Sequence, residues 1–138
     1  MNVYVDSSIV MRRLRREAAS VRAWGRWDRA YASVLVRVET FRTIDRIRLS
    51  GRLDDHGVVE MLSDARAMLE SIALVPLSDP ILERASQSFL TALGTLDALH
   101  LATALRLVES SAMELTFLTH DTELATAARS MNFNVEGV

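Results

Sequence analysis

The chain alternates between short apolar runs and longer stretches in which apolar residues recur every three or four positions. The short runs are rich in β-branched and aromatic residues and predict strands over 3–5, 31–34, 72–75, 115–118 and 133–135. The longer stretches predict helices, one through Ile9, Val10, Leu14 and Ala18 and others over 35–49, 54–70, 80–92, 96–109 and 122–130. Strands alternating with helices predict an α/β domain with a largely parallel sheet covered on both faces.

The length of 138 residues fits one compact domain over 1–138, and neither a repeat nor a long linker divides the chain. The first residues lack the basic segment and apolar core of a signal peptide. The most apolar stretch, 99–108, is interrupted by His100 and Arg106 and is too short to span a membrane. We therefore expect a cytoplasmic protein with no membrane contact.

Charge is distributed unevenly between the two parts of the chain. All 16 basic residues are arginines; residues 1–52 hold 12 of them against 5 acids, and residues 53–138 hold 4 against 13. This asymmetry suggests nucleic acid or a charged protein as a partner, although the net charge of −2 argues against binding by overall charge alone. The chain has no cysteine, which excludes disulfides and thiolate metal sites.

Two carboxylates directly follow predicted strands, Asp6 after the first and Asp121 after the fourth. In open parallel sheets, ligands bind beyond the carboxyl ends of the strands. Each of the two residues also precedes a helix, so either one alone is interpreted as a helix cap. If the two strands are neighbours, however, both carboxylates lie in one crevice, where their repulsion favours a cation between them.

Two further acids lie on predicted helices. Asp97 falls in the first turn of its helix and begins an apolar stripe at positions 101, 104 and 108, so it fits a capping role and a ligand role equally well. Glu39 lies beside the apolar stripe of the helix over 35–49, and Arg42 follows it three residues later. Taken alone, that spacing predicts an exposed Glu39–Arg42 pair.

Four segments of the chain resemble, in order and approximate spacing, the successive acidic motifs of PIN domains, and those of VapC-type toxins of bacterial toxin–antitoxin pairs most closely. The segments are Val5-Asp6-Ser7-Ser8, Val38-Glu39, Leu96-Asp97-Ala98-Leu99-His100-Leu101-Ala102 and Phe117-Leu118-Thr119-His120-Asp121. The resemblance implies that the catalytic, metal-binding acids are Asp6, Glu39, Asp97 and Asp121, with Ser7 and Thr119 as neighbours of the site.

The same resemblance implies a PIN-like three-layer α/β/α sandwich with a mostly parallel, roughly five-stranded, twisted sheet. It also implies an endoribonuclease toxin that cuts tRNA, rRNA or mRNA, forms a homodimer and is inhibited by a cognate VapB-type antitoxin. Oxygen ligands without thiolates suit Mg²⁺ or Mn²⁺. We hypothesise that one or two such ions activate a water and neutralise charge on the scissile phosphate, with Glu39 binding metal or orienting the water.

Arginines in the first part of the chain are candidates for binding RNA phosphates, namely Arg12, Arg13 and Arg42. For any single one of them, a solvated helix face is the better explanation. Trp24 and Trp27, three positions apart, fit one helical face, where they would form either a partner surface or part of the core.

Other classes of function remain open. A receiver-type or phosphoryl-transfer domain also gathers acids at strand ends, but it relies on a lysine, which this chain lacks, and on an Asp-x-Asp pattern that Asp6-Ser7-Ser8 does not provide. A PIN-like module that binds RNA or a partner without cutting is the main alternative. His100 is interpreted as a packed, hydrogen-bonded histidine, and His120 as a side chain that points away from Asp121.

Overall fold

The computed structural model describes residues 1–17, 21 and 24–138, and strands and helices alternate along this part of the chain. The strands are β1 (Asn2–Val5), β2 (Arg29–Ser33), β3 (Ala73–Val75), β4 (Thr116–Leu118) and β5 (Asn134–Glu136). The helices are α1 (Ser7–Leu14), α2 (Leu35–Leu49), α3 (Asp55–Glu70), α4 (Asp79–Ala85), α5 (Thr95–Ser111) and α6 (Thr122–Ser130). The predicted elements are therefore all present.

The five strands form one parallel sheet in the order β3-β2-β1-β4-β5. From the central strand β1, the chain builds outward first through β2 and β3 and later through β4 and β5. The order reverses between β1 and β4, and such a reversal opens a crevice at the carboxyl ends of the two strands. In the register, Val5 pairs with Leu118, so these two strands end side by side.

Side chains alternate across the sheet and feed two separate cores. Val3 and Val5 pack with α1, α2 and α3 on one face, whereas Tyr4 points to the opposite face with α5 and α6. There the Tyr4 ring stacks on Phe117, with 5.0 Å between ring centroids. The prediction of a three-layer α/β/α sandwich with a five-stranded parallel sheet is confirmed. None of the described helices has the length and apolarity needed to cross a membrane.

One predicted helix is too long. The helix expected over 80–92 ends at Ala85, and the next helix begins only at Thr95. The Ser86 hydroxyl donates to the Leu82 carbonyl, and the Arg84 guanidinium lies 4.4 Å from the centre of the Phe89 ring. Phe89 and Leu93 pack against the core beside α5, so burial of these side chains ends the helix in spite of the continuing apolar pattern.

The two tryptophans were wrongly assigned to a helical face. Trp24 lies in a turn and Trp27 in a bend, and Gly25 between them has a φ of +73°. Their rings meet edge to face at 5.2 Å, and both side chains are partly buried against the core. This packing accounts for both residues. The first helix, expected to reach Ala18, also ends early, at Leu14, and Arg16 two residues later has a φ of +54°. Ala18 itself lies outside the described residues.

Gly137 provides a test of how closely the chain after β5 approaches the β4–α6 loop. Its φ is +112°, and a methyl group at this position would overlap the Thr119 carbonyl oxygen. We expect Gly137→Ala to displace β5 and to cost about 1 kcal/mol or more of unfolding free energy. The Thr119 amide donates to the Glu136 carbonyl at 3.1 Å, so its hydrogen exchange should accelerate.

Gly51→Ala is the matched control, because Gly51 also has a positive φ, +72°, but a methyl group there would meet no atom of the described residues within 4 Å. It carries the left-handed cost of about 1–2 kcal/mol without the overlap. Exchange at Thr119 should therefore remain unchanged in Gly51→Ala. Equal Thr119 exchange rates in the two variants would contradict the close approach.

Candidate active site

Four carboxylates are carried by elements that begin at the carboxyl edge of the sheet. Asp6 follows β1 and caps α1, and Asp121 follows β4 and caps α6. Asp97 lies in the first turn of α5, and Glu39 lies in the second turn of α2. From the sequence, Asp6 and Asp121 were expected to share a crevice if their two strands were neighbours. The strands β1 and β4 are neighbours, so this condition is met.

Asp6 is buried, with 3% of its surface exposed, and its carboxylate accepts hydrogen bonds at both oxygens. Oδ1 accepts from the Ser8 hydroxyl at 2.6 Å and from the Ile9 amide at 3.3 Å, and Oδ2 accepts from the Thr119 hydroxyl at 2.7 Å. Burial raises the pKa of Asp6, while the bonds from Ser8 and Thr119 act in the opposite direction. These donors therefore compensate part of the cost of burying the charge.

Glu39 is held by two donors that differ from the partner suggested by sequence spacing. Its Oε1 lies 2.6 Å from His100 Nε2, and its Oε2 accepts from the Ser7 hydroxyl at 3.1 Å. Arg42 instead pairs with Asp45 at 3.3 Å. The exposed Glu39–Arg42 pair is therefore replaced by contacts to α5 and α1.

His100 is buried and hydrogen-bonded, as predicted, but its partners were not foreseen. Its Nδ1 lies 2.9 Å from the Tyr4 hydroxyl, and that hydroxyl accepts a hydrogen bond from the Ser33 amide at 3.0 Å. Burial raises the pKa of Tyr4 well above its ordinary range. His120 points elsewhere, with Nδ1 2.7 Å from the Gly137 carbonyl oxygen. The sequence gives one signal for the contact between His100 and Glu39: His100 lies one helical turn after Asp97, another of the candidate acids.

Asp97 shows most directly that the acids influence one another. It is half-buried, and its pKa is raised to about 6 by burial, by repulsion from Asp121 and Asp6, and to a smaller extent by Glu39, with His100 opposing the rise. Asp121 has one oxygen engaged, since Oδ1 accepts from the Leu124 amide at 3.0 Å. A cation near Asp97 and Asp121 would relieve this repulsion.

The donor set of the crevice fits a hard divalent cation, because it consists of carboxylate oxygens. In the described part of the chain, however, no three His, Asp or Glu side chains stand close enough together to hold an ion. The side chains of Asp6 and Glu39 are both oriented by hydrogen bonds to other residues. The four-acid metal site therefore stays a prediction.

The three candidate arginines each have a local partner. Arg12 lies 3.6 Å from Glu17, and the Arg13 guanidinium lies 5.2 Å from the centre of the Trp24 ring. Arg42 is 68% exposed and follows Glu39 by about one turn of α2. Of the three, only Arg42 shares a helix with one of the four acids.

Comparison with known proteins shows that the four acids lie in a region that matches a known family. A sequence model of the PIN domain matches residues 3–130, a range that includes all four acids. The chain is also 30% identical over 139 residues to Ribonuclease VapC47 of Mycobacterium tuberculosis (strain CDC 1551 / Oshkosh). That alignment covers 95% of this chain and 93% of the relative.

The raised pKa of Asp97 predicts how the metal-stripped protein responds to pH. The folded-state pKa of about 6 exceeds the ordinary value of 3.8, so the folded protein binds this proton more tightly than the unfolded chain. The free energy of unfolding should therefore rise as the pH falls from above 6 towards 4. Removing the charge should have the same effect, so we expect Asp97→Asn to be more stable than the wild type at pH 7.5.

The measurement is thermal unfolding of metal-stripped wild type and Asp97→Asn at pH 7.5 and pH 5. The stability advantage of the variant should shrink at the lower pH, where the wild-type carboxyl is itself protonated. Other titrating groups affect both proteins, so the difference between the two isolates Asp97. A constant difference across this range would contradict the repulsion.

Proposed function

The chain belongs to the PIN-domain family, in its VapC-type branch, and from this premise we propose that it is a metal-dependent endoribonuclease, the toxin of a VapBC-type pair. The observation that carries the proposal is the raised pKa of Asp97 beside Asp121 and Asp6, at the point where the strand order reverses. Perturbed carboxylates at such a crevice are typical of active sites. The relative that aligns with nearly the whole chain is named a ribonuclease, which supports the same activity.

Each acid has a distinct part in the proposal. Asp97 and Asp121 repel each other and have oxygens available, so together with Asp6 they would hold Mg²⁺ or Mn²⁺. Glu39 would bind the metal or accept a hydrogen bond from the attacking water. When bound, the ion lowers the pKa of water and neutralises phosphate charge.

The residues around these acids keep the site in shape. Ser8 and Thr119 hold the Asp6 carboxylate from both sides, and Ser7 holds Glu39. In the hydrolysis itself, the water oxygen forms a bond to phosphorus, and the bond from phosphorus to one ribose oxygen breaks. That ribose oxygen leaves with one proton that the attacking water has given up. Rigid carboxylates favour such a step because they need no rearrangement while charge develops.

The proposed partners follow from the family. RNA is the substrate, of the tRNA, rRNA or mRNA class, and a cognate VapB-type antitoxin is the inhibitor. A homodimer is the proposed assembly. RNA binding without cleavage by a metal-loaded sample would instead favour the PIN-like binding module.

The first test is cleavage of a pool of tRNA and rRNA by the purified protein, free of antitoxin, with Mn²⁺ and after metal stripping. We expect discrete fragments only with Mn²⁺. Asp97→Asn should lower the rate by about 100-fold or more, because it removes charge that the metal and the phosphate both require. Fragments that persist after metal stripping would contradict the proposal.

Glu109→Gln is the matched control for Asp97→Asn. Glu109 is exposed on the same helix, 12 residues further on and therefore about 18 Å along its axis. The substitution removes one charge from α5 without touching the crevice. Its cleavage rate should equal that of the wild type; an equal loss in both variants would indicate an effect of charge on the fold and not on the site.

A second test addresses the arginines. Arg42 and Arg48 both pair with Asp45, at 3.3 and 2.8 Å, but they lie on different sides of α2 relative to Glu39. Arg42 is about 4.5 Å along the axis and on a similar side, whereas Arg48 is about 13.5 Å away on the opposite side. If Arg42 contacts a phosphate, Arg42→Gln should weaken RNA binding and reduce its salt slope by about 0.7.

Arg48→Gln should leave both quantities unchanged. The measurement is RNA binding to Asp97→Asn protein, which is not expected to cut its ligand, over a range of salt concentrations. Identical salt slopes for the two arginine variants would exclude a specific phosphate contact by Arg42.

A further inference from the structure

A chain of hydrogen bonds runs from β2 through two buried side chains, those of Tyr4 and His100, and ends on Glu39. It begins at the Ser33 amide, which donates to the Tyr4 hydroxyl at 3.0 Å. The Tyr4 hydroxyl lies 2.9 Å from His100 Nδ1, and His100 Nε2 lies 2.6 Å from Glu39 Oε1. Tyr4 is fully buried, and His100 is 1% exposed, so neither side chain can reach a substrate.

The donors in this chain have a defined direction. An ionised carboxylate can only accept hydrogen bonds, so the proton in the contact between His100 and Glu39 lies on His100 Nε2, which donates to Glu39. A neutral imidazole with its proton on Nε2 accepts at Nδ1, and the Tyr4 hydroxyl, which itself accepts from the Ser33 amide, has a proton to donate there. The contact to Glu39 is therefore a donor contact, and the Tyr4 hydroxyl holds the other side of the His100 ring.

We propose that His100, oriented by Tyr4, is a positioning residue that fixes Glu39 as the acceptor for the attacking water and leaves the metal to the other three acids. The inference rests on the proposed ribonuclease function and makes its description of Glu39 definite. His100 acts through Glu39 alone and does not contact the reacting atoms.

The contacts of Glu39 support this division of roles. Its two oxygens are held from different elements, by His100 of α5 and by Ser7 of α1. An ionised carboxylate has about four acceptor positions, so these donors leave room for a water while they fix the carboxylate plane.

Two amide substitutions of equal chemistry separate the two nitrogen contacts. The amide nitrogen of Gln lies as many bonds from the backbone as His100 Nε2, so His100→Gln keeps a donor towards Glu39. The amide of Asn matches Nδ1, so His100→Asn keeps the Tyr4 side and loses the donor to Glu39. We expect His100→Asn to lower kcat by about 10–100-fold relative to the wild type. The kcat of His100→Gln should be about tenfold higher than that of His100→Asn.

The second readout is Mn²⁺ binding by calorimetry in the absence of RNA. Because His100 makes its side-chain hydrogen bonds to Tyr4 and Glu39 and not to the proposed ligands Asp6, Asp97 and Asp121, the dissociation constant of His100→Asn should stay close to that of the wild type. A purely structural role would lower the folded fraction and affect both readouts, so thermal unfolding of each variant accompanies them. A loss of Mn²⁺ affinity as large as the loss of kcat would overturn the proposal by making Glu39 a ligand.

Tyr4→Phe decides the question if His100→Asn does not fold. It keeps the ring stacked on Phe117 and removes only the hydroxyl that orients His100. The same pattern is expected, a lower kcat with unchanged Mn²⁺ affinity, and a wild-type kcat would overturn the proposal. Wild-type protein that neither binds Mn²⁺ nor cuts RNA would refute the proposed function. If the wild type is active and His100→Gln and His100→Asn have the same kcat, only the role of His100 is refuted.

Discussion

The burial of one carboxylate, Asp6 at the end of the central strand, constrains the rest of the site. A charge with 3% exposure must be compensated, and it is compensated by donors from the two segments that follow β1 and β4. Ser8 also accepts from the His120 amide, and Thr119 accepts from the Asp121 amide, so the same hydroxyls that hold Asp6 also fix the loop that carries Asp121. One buried charge thereby sets the relative position of two acids 115 residues apart in the chain.

The second connection runs between the helical layers. The two cores are separated by the sheet, and the Glu39–His100 contact joins α2 of one layer to α5 of the other. Since Asp97 lies one turn before His100, α5 both supplies an acid and holds a second one in place. Movement of this helix would change the positions of Asp97 and Glu39 together, so the stability of the packing around Tyr4 and Phe117 bears directly on the proposed chemistry.

Much of the fold could be predicted because it is encoded locally. Apolar periodicity located α2 and α6 with their observed ends, and the carboxyl ends of strands identified Asp6 and Asp121. The local pattern failed where packing against distant residues decides the structure. It extended α4 past Ala85, whereas the helix ends there and Phe89 packs against the core. It also could not reveal the contacts of His100, whose partners lie 61 and 96 positions away. Spacing along α2 predicted Arg42 as the partner of Glu39. The observed partner is the buried His100, because a buried donor is a stronger partner than an exposed cation.

The electrostatics of the crevice explain why a set of acids can belong to a site for a polyanion. Helices α1, α5 and α6 all begin here, and helix N-termini favour anions. Asp6 and Asp121 already cap two of these termini, and Asp97 occupies the first turn of the third, so the carboxylates use the positions that would otherwise hold a phosphate. The helix dipoles stabilise the acids only partly, as the raised pKa of Asp97 indicates. A phosphate can reach the acids themselves only with a cation between it and the carboxylates, so in the proposed mechanism the metal is required for contact with the scissile phosphate, whereas Arg42 binds RNA outside the acids.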